Sequence, residues 1–487
     1  MRIGFLGHNG FALGGEDSPV LVDPILFRRY GEEYTSSPVE IYPPRTIELE
    51  KMPSPAAVII SHEHSDHFHL PSLDKLDKST PIIVGPTMIE KVVQCIERLG
   101  LTVTRLPFGE PAQFGSIVIT LYPPGPDTVL WESRVSQVYA REAADPELGG
   151  FFLGIDATTS DEFIADVAEG RTPAPRLIGM SNNAQVTPRG VFGSLDCYRG
   201  SDESVARDRG AGFPGVDILD EIVLRAIEQA EDFRGAHILL CGGGFLKDYE
   251  QMGPFPFSEQ QELAKIAKEL VRHMDVLGPL PGDIVEAGPA GIETVGHLSW
   301  LDTDHSRFAE LIARREEFLT VRGDIPMRRI MPASRELEEQ AFTDIERELG
   351  YIAKVMLLAK LGRDMAVADE PYPVVLKLIC GHREDRSLRF NLASGAFEQC
   401  ADLDLDSSVA AYSYGIAIHA VDLAAVLRGD LQYWDVVGVA MRSWFTGDAL
   451  DSPVALLYDA LGEQVRPDIS CRVYDQQLDI LAPEAAR

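Results

Sequence analysis

A chain of 487 residues is too long for one ordinary domain, and its 45% hydrophobic and 25% charged residues are those of folded globular proteins, which excludes extended disorder. Its 76 Asp and Glu against 44 Lys and Arg give a formal net charge of −32, which argues against nucleic acid or an anionic membrane as partner, since both need concentrated positive charge. Six cysteines (Cys95, Cys197, Cys241, Cys380, Cys400 and Cys471) lie far apart without a CxxC pair, which excludes a disulfide scaffold or a zinc knuckle.

From the N-terminus, MRIGFLGHNGF runs into a strand-like pattern rather than a signal peptide, and no apolar run reaches the roughly 20 residues of a membrane span, so a cytoplasmic protein is expected. Gly4, Gly7 and Gly10 follow a strand, but their spacing is GxxGxxG rather than GxGxxG and another strand follows, so a dinucleotide-binding turn is set aside. Residues 1–300 alternate short strands and helices. Strand-like runs are Arg2–Leu6, Val20–Val22, Ala57–Ile60, Pro81–Val84, Ile117–Leu121, Phe151–Ile155, Arg176–Met180 and His237–Cys241, and helical patterns cover Thr87–Leu99, Ser160–Glu169 and Val216–Phe233. Residues 301–370 are charged and helical in pattern, a connector that ends in the proline-bearing linker ADEPYPVV. Residues 371–487 form a smaller α+β domain, with strand-like VVLKLIC, LRFNLA and AFEQCAD before a helical pattern over Val421–Phe445. Trp434, Met441, Trp444 and Phe445 on that helix read as core or as a homodimer interface.

The chemistry concentrates in Val58–His67. His62, His64, Asp66 and His67 fall within six residues directly after an apolar strand. Imidazole and carboxylate are good ligands for first-row divalent metals, and alternate residues of a tight loop project differently. His62 and His64 are therefore expected to share one metal while Asp66 and His67 face another. His-x-His-x-Asp-His after a strand resembles the signature of the metallo-β-lactamase superfamily. LGHNGFAL followed by VLVDPIL is similar to the opening hairpin of the branch that contains the lactonases and the N-acyl-phosphatidylethanolamine phospholipase D. The resemblance covers residues 1–300 and implies an α/β fold, an αββα sandwich with the metals at one edge and Asp23 supporting the metal loop from behind.

Hydrolytic members of that superfamily supply another histidine, then a bridging aspartate, then a last histidine. Asp156, at the end of Phe151–Ile155, matches the bridging position; the other reading is a cap for the helix that begins near Ser160. None of the 11 histidines lies between His69 and His237, so no imidazole precedes Asp156, and Glu132 in TLYPPGPDTVLWESRVS is the best-placed substitute. At the last position the stretch Leu239–Phe245 puts Cys241 where the histidine stands, as a thiolate ligand or as a small buried residue. His237, on the same strand face, and the more remote His297 and His305 keep this seventh metal position open.

Three carboxylates, Asp66, Glu132 and Asp156, favour iron over a zinc pair and lower the Lewis acidity that a hydrolase uses. This pattern resembles the non-haem diiron monooxygenases built on the same fold, of the chloramphenicol-pathway β-hydroxylase type. The resemblance implies two Fe ions, one held by His62, His64 and Glu132 and the other by Asp66 and His67, with Asp156 bridging. It further implies O2 as co-substrate, a small-molecule or acyl-thioester substrate from natural-product biosynthesis and an external electron donor. No catalytic group beyond the metal ligands is expected. The alternative is a dinuclear metallohydrolase of the same fold, with Zn or Mn, acting on a phosphodiester, lactone, sulfate ester or thioester. Alkyl sulfatases of the superfamily also use Glu ligands and carry a C-terminal lipid-binding-like domain, to which residues 371–487 are comparable. A binding protein with a degenerate site is the non-enzymatic alternative. At the rim, His8 is either a structural hydrogen-bonder or a substrate contact, and Asn182 and Asn183 either contact substrate or turn the chain.

Overall fold

The computed structural model describes the chain except residues 31–38, 126–132, 182–232, 234, 243–244, 247, 250–252, 255–259, 272–273, 289–290, 314–326, 359–372, 437–439, 445–452, 463–464 and 482–487. In chain order the strands that build its two large sheets are β1 (Arg2–Gly7), β2 (Gly10–Leu13), β3 (Val20–Val22), β4 (Ala57–Ile60), β5 (Pro81–Val84), β6 (Thr102–Arg105), β7 (Ala112–Phe114), β8 (Ile117–Tyr122), β9 (Gln137–Glu142), β10 (Phe151–Leu153), β11 (Leu177–Ser181), β12 (His237–Cys241), β13 (Val276–Leu277), β14 (Asp283–Gly288) and β15 (Gly291–His297). The first sheet has the order β15-β14-β1-β2-β3-β4-β5-β6 and the second β7-β8-β9-β10-β11-β12-β13. In both, an antiparallel part passes into a parallel part, β3 to β6 in one and β10 to β13 in the other.

Period-two alternation explains how the sheets stack. In β4, Ala57 and Ile59 face an inner core with Phe5, Phe11, Ile119, Phe151 and Leu239, while Val58 and Ile60 face an outer core. That outer core is covered by helices α1 (Leu70–Asp74) and α2 (Glu90–Arg98), the latter burying Val92, Val93, Cys95 and Ile96 at helical spacing. On the far side, α3 (Asp161–Ala168) and α4 (Gln260–Leu270) cover the second sheet, with Phe163 stacked on Phe152 at 4.1 Å. Strands buried on both faces need unbroken apolar runs, as AVII supplies in β4. The result is an αββα sandwich.

Beyond it come α5 (His305–Ala313) and the long α6 (Arg335–Leu358), followed by a five-stranded sheet. Its strands are β16 (Val374–Ile379), β17 (Arg386–Asn391), β18 (Ala396–Gln399), β19 (Tyr414–His419) and β20 (Met441–Trp444), in the order β18-β17-β16-β19-β20. Helices α7 (Leu405–Ala411), α8 (Ala420–Arg428), α9 (Tyr433–Val436) and α10 (Pro453–Leu461) accompany it, and α6, α8 and α10 share one apolar core with the sheet. The helical pattern expected over Val421–Phe445 is corrected here. Helix α8 stops at Gly429, which takes a left-handed φ of 79°, and Met441–Trp444 is a strand antiparallel to β19. Pairing with a sheet edge outweighs helical spacing once Gly429 has ended the helix. Phe445 and most of the expected helix Val216–Phe233 lie outside the described residues. The last helix, α11 (Pro467–Leu481), leaves this core and lies against α1 and α2 of the sandwich, burying Tyr474 and Leu478 there. Among the described residues no helix is long and apolar enough to cross a membrane.

Candidate metal centre

β4 delivers the loop Ser61–His67 at its carboxyl end, where ligands collect in open α/β sheets. The loop closes tightly, His67 N and Phe68 N both donating to His64 O. Asp23, at the end of the adjacent parallel strand β3, is buried beneath it. Its Oδ1 accepts Ser61 N at 2.8 Å, and its Oδ2 accepts Ser61 Oγ at 2.6 Å and His67 Nδ1 at 2.7 Å. With Nδ1 donating to this carboxylate, His67 turns Nε2 toward the cluster. Ser61 Oγ, committed as donor to Asp23, accepts from His62 Nδ1 at 2.9 Å, so His62 presents Nε2 as well.

The second sheet brings Asp156. β10 ends at Leu153, and Ile155 takes a φ of 55° to aim the aspartate inward. His8 (52°), Asp23 (42°) and Ile155 are the non-glycine residues with positive φ among those described, and all three border this site, where such strain collects. Buried Gln137 shapes the Asp156 loop, donating to Gly154 O, Ala157 O and Thr158 O and accepting Ser160 N. The cap of α3 is Ser160, whose Oγ accepts Phe163 N, so Asp156 is not spent as a cap. Asn9 Nδ2 and Ser181 Oγ both donate to Asp156 Oδ1 at 3.2 Å, which leaves Oδ2 for the cluster.

Two ligand groups result. The ligand atoms of His62, His64 and Asp156 lie within 4.8 Å of one another, and so do those of His8, Asp66 and His67. Asp156 Oδ2 sits between the groups, 3.7 Å from His62 Nε2 and 3.0 Å from His67 Nε2. Burial, with the neighbouring imidazoles, holds His62 well below the ordinary imidazole range, and burial alone dominates for His64. Burial also pulls on His67, but Asp156, Asp66 and Asp23 outweigh it and raise it well above that range. Burial opposes ionisation of Asp66 and Asp156, yet His67 holds both carboxylates well below their usual values. Ionised carboxylates at this spacing, with His62 and His64 held neutral and His67 giving up its proton to a bound ion, fit two first-row divalent ions.

Of the residues singled out in the sequence, the structure brings His62, His64, Asp66, His67 and Asp156 together, with His8 beside them. Glu132, Asn182 and Asn183 lie outside the described residues. Cys241 ends β12 next to Ser181, fully buried, its thiol pushed far up by desolvation. His237 is four residues away at the other end of β12, about 13 Å along the strand, and accepts Asp275 N, so it does not reach the site. His297 and His305 stand at the surface near Asp302. Asn9 and Gln137 were missed; the only signal was a polar turn, GHNG, and a lone Gln opening a strand.

Residues 2–138, which include the whole His62–His67 cluster, match the family described as the beta-lactamase superfamily domain. The expected superfamily resemblance and the α/β sandwich are thus both found, and the fold family is enzymatic and holds dinuclear metal. Among solved structures the chain is similar to an isothiocyanate hydrolase from Delia radicum gut bacteria (14% identity, 59% of this chain and 98% of that one, TM-score 0.38). It is also similar to CmlA, a diiron beta-hydroxylase from Streptomyces venezuelae (16% identity, 57% of this chain and 52% of that one, TM-score 0.34). A third likeness is human tRNase Z, short form (12% identity, 50% of this chain and 92% of that one, TM-score 0.27). No curated protein matches the chain by sequence.

Proposed function

We propose, starting from a beta-lactamase superfamily domain over residues 2–138, that this chain is a non-haem diiron monooxygenase hydroxylating a C–H bond of a small-molecule or thioester-bound substrate. The observation that supports it is the fastening of the segment just after Glu132. The Arg134 guanidinium pairs with the buried Glu63 carboxylate, whose residue lies between His62 and His64 in the loop. Ser136 N donates to Ser61 O at 3.0 Å, and Thr87 Oγ1 donates to Arg134 O at 3.0 Å. In the sequence Glu132 directly precedes this fastened segment, and the chain has no histidine between His69 and His237 to take its place. In this reading His62, His64 and Glu132 hold one iron, Asp66 and His67 the other, and Asp156 lies between them. Oxygen-rich donors stabilise the higher oxidation state of iron and temper the Lewis acidity that hydrolysis draws on.

Two irons, when bound, supply reductive activation of O2. The reaction balances as substrate C–H, O2, two electrons and two protons giving C–OH and water, with the electrons from an external donor protein. The chain's own part is positional. Asp23 orients His67, Ser61 orients His62, and Asn9 with Ser181 turns one Asp156 oxygen to the cluster. A second reading, a dinuclear metallohydrolase, is favoured by one feature, the additional imidazole of His8 beside Asp66, since zinc hydrolases use nitrogen-rich sets.

The test is metal analysis of protein produced with iron and zinc both supplied, followed by turnover under ¹⁸O2 with a dithionite-primed sample. The expected result is two irons per chain and one ¹⁸O atom in the product. Two zincs, with product oxygen drawn from labelled water, overturn the oxygenase reading in favour of the hydrolase.

A further inference from the structure

The end of β12 offers a thiol where a histidine was expected, and another strand connection fills the gap. We propose that His8, in the turn between β1 and β2, is a ligand of the second metal together with Asp66 and His67. The inference rests on the dinuclear reading but is independent of whether the ions are iron or zinc.

The geometry is that of a ligand set. His8 Nε2 lies 2.9 Å from Asp66 Oδ2, which lies 3.4 Å from His67 Nε2, which in turn lies 3.0 Å from Asp156 Oδ2. Donors bound at about 2.0–2.2 Å to one tetrahedral ion stand roughly 3.3 Å apart, so these atoms, now at hydrogen-bond to near-ligand spacing, need to part by only a few tenths of an ångström to share an ion. The His8 side chain is 3% exposed and its ring centroid is 5.5 Å from that of His67, edge on. A surface imidazole placed for substrate contact alone has no reason to be so enclosed.

The backbone explains how an N-terminal turn comes to stand in for a residue some 230 positions later. Gly242 N donates to His8 O at 2.9 Å, and Gly242 directly follows Cys241. That glycine has a φ of 68°, and a Cβ there meets Ser181 Oγ at 2.2 Å, so only glycine lets the β12 turn close on the His8 turn. On the other side Asn9, the next residue, donates to Asp156 and Ser181. His8 is thus held at its own carbonyl and through its neighbour, with a left-handed φ of 52° that delivers the ring to Asp66. Cys241 lies in neither ligand group.

The experiment uses the full chain, stripped of metal and titrated with Co(II), as wild type and as His8→Ala, His8→Gln and Cys241→Ser. Wild type is expected to take up two ions, and ¹⁵N-histidine labelling to show contact-shifted imidazoles for His8, His62, His64 and His67. His8→Ala and His8→Gln should keep one ion and lose affinity for the second by about 100-fold or more. Cys241→Ser should keep both, with an unchanged visible spectrum. Glutamine retains a donor for Asp66 without an imidazole, so His8→Gln binding two ions as tightly as wild type would falsify the proposal, leaving His8 as a hydrogen-bonder. Contact shifts confined to His62, His64 and His67 overturn it without recourse to any variant. A thiolate-to-cobalt charge-transfer band lost in Cys241→Ser does the same by giving the position to the cysteine. Uptake of fewer than two ions by wild type instead overturns the dinuclear reading on which the proposal rests.

Discussion

The Asp23 carboxylate accepts from Ser61 N, Ser61 Oγ and His67 Nδ1, and each bond fixes a different part of the metal loop. Ser61 N holds the loop's first residue against the end of β3. Ser61 Oγ relays the order to His62, and His67 is oriented directly. Asp23→Asn replaces one acceptor oxygen with a donor that faces donors in a dry site. Leaving a buried donor without its acceptor costs about 1–3 kcal/mol, more where the acceptor is charged. We expect urea denaturation of the metal-free variant to show a loss of that order. Competition with a chromophoric chelator should also show metal affinity down by about 10–100-fold, the usual consequence of losing the partner that orients a ligating histidine. A variant that keeps wild-type metal affinity would show that the loop is ordered by its own backbone turn, through His67 N and Phe68 N on His64 O.

At the scale of elements, α11 reaches the metal loop from outside the sandwich. Tyr474 Oη donates to Glu63 O at 2.7 Å and its ring packs edge-on against Phe68 at 5.4 Å, while Asp475 pairs with Lys91 and Arg98 on α2. Leu478 is fully buried in the outer core. Leu478→Ala should therefore destabilise the chain by about 2–4 kcal/mol, Tyr474→Phe by about 1 kcal/mol, and Asp475→Asn by less than about 1 kcal/mol, because the last removes one partly buried and one exposed pair, both screened by solvent. Denaturation midpoints of the three variants check the ranking; an effect of Asp475→Asn equal to that of Leu478→Ala would mean that charge, not burial, seats the helix. Nothing in PDISCRVYDQQLDIL says where that helix docks, since amphipathic spacing names a face and not its partner. The His62–His67 cluster is legible for the opposite reason: its ligands are contiguous and follow an apolar strand whose type is itself plain. Asn9, by contrast, meets Asp156 across 147 residues and Ser181 across 172, and an Asn in a turn carries no mark of such a meeting. Met441–Trp444 was misread because four residues at helical spacing weigh less than an open edge on β19.

Across the whole molecule the apolar interior is divided. Among the described residues three clusters belong to the sandwich, a fourth joins α6, α8, α10 and one face of the five-stranded sheet, and a small one of Val375, Ala417 and Trp444 lies on that sheet's other face. α11 starts from the fourth and ends on the sandwich. Just before it the chain is pinned to α6, where Tyr351 Oη donates to Val465 O at 2.5 Å and Arg466 pairs with Glu348 at 2.7 Å. Its apolar face then buries Tyr474 and Leu478 in the sandwich, while near its start Ile469 lies against Gly429 and Arg472 donates to Arg428 O at the end of α8, so most of its docking energy should be drawn from the sandwich's stability. A chain ending at residue 466 retains both pins and every member of the fourth cluster while losing Tyr474 and Leu478 from the outer core. Calorimetry of that shortened chain should show the sandwich transition lowered by roughly 5–10 °C, the shift that a few kcal/mol produces in a domain of this size. The transition of the five-stranded sheet should move less, since it loses only the Ile469 and Arg472 contacts at the end of α8. Both transitions falling together would mean that α11 holds the two cores as one cooperative unit; neither moving would mean that its contacts with the metal loop contribute nothing to stability.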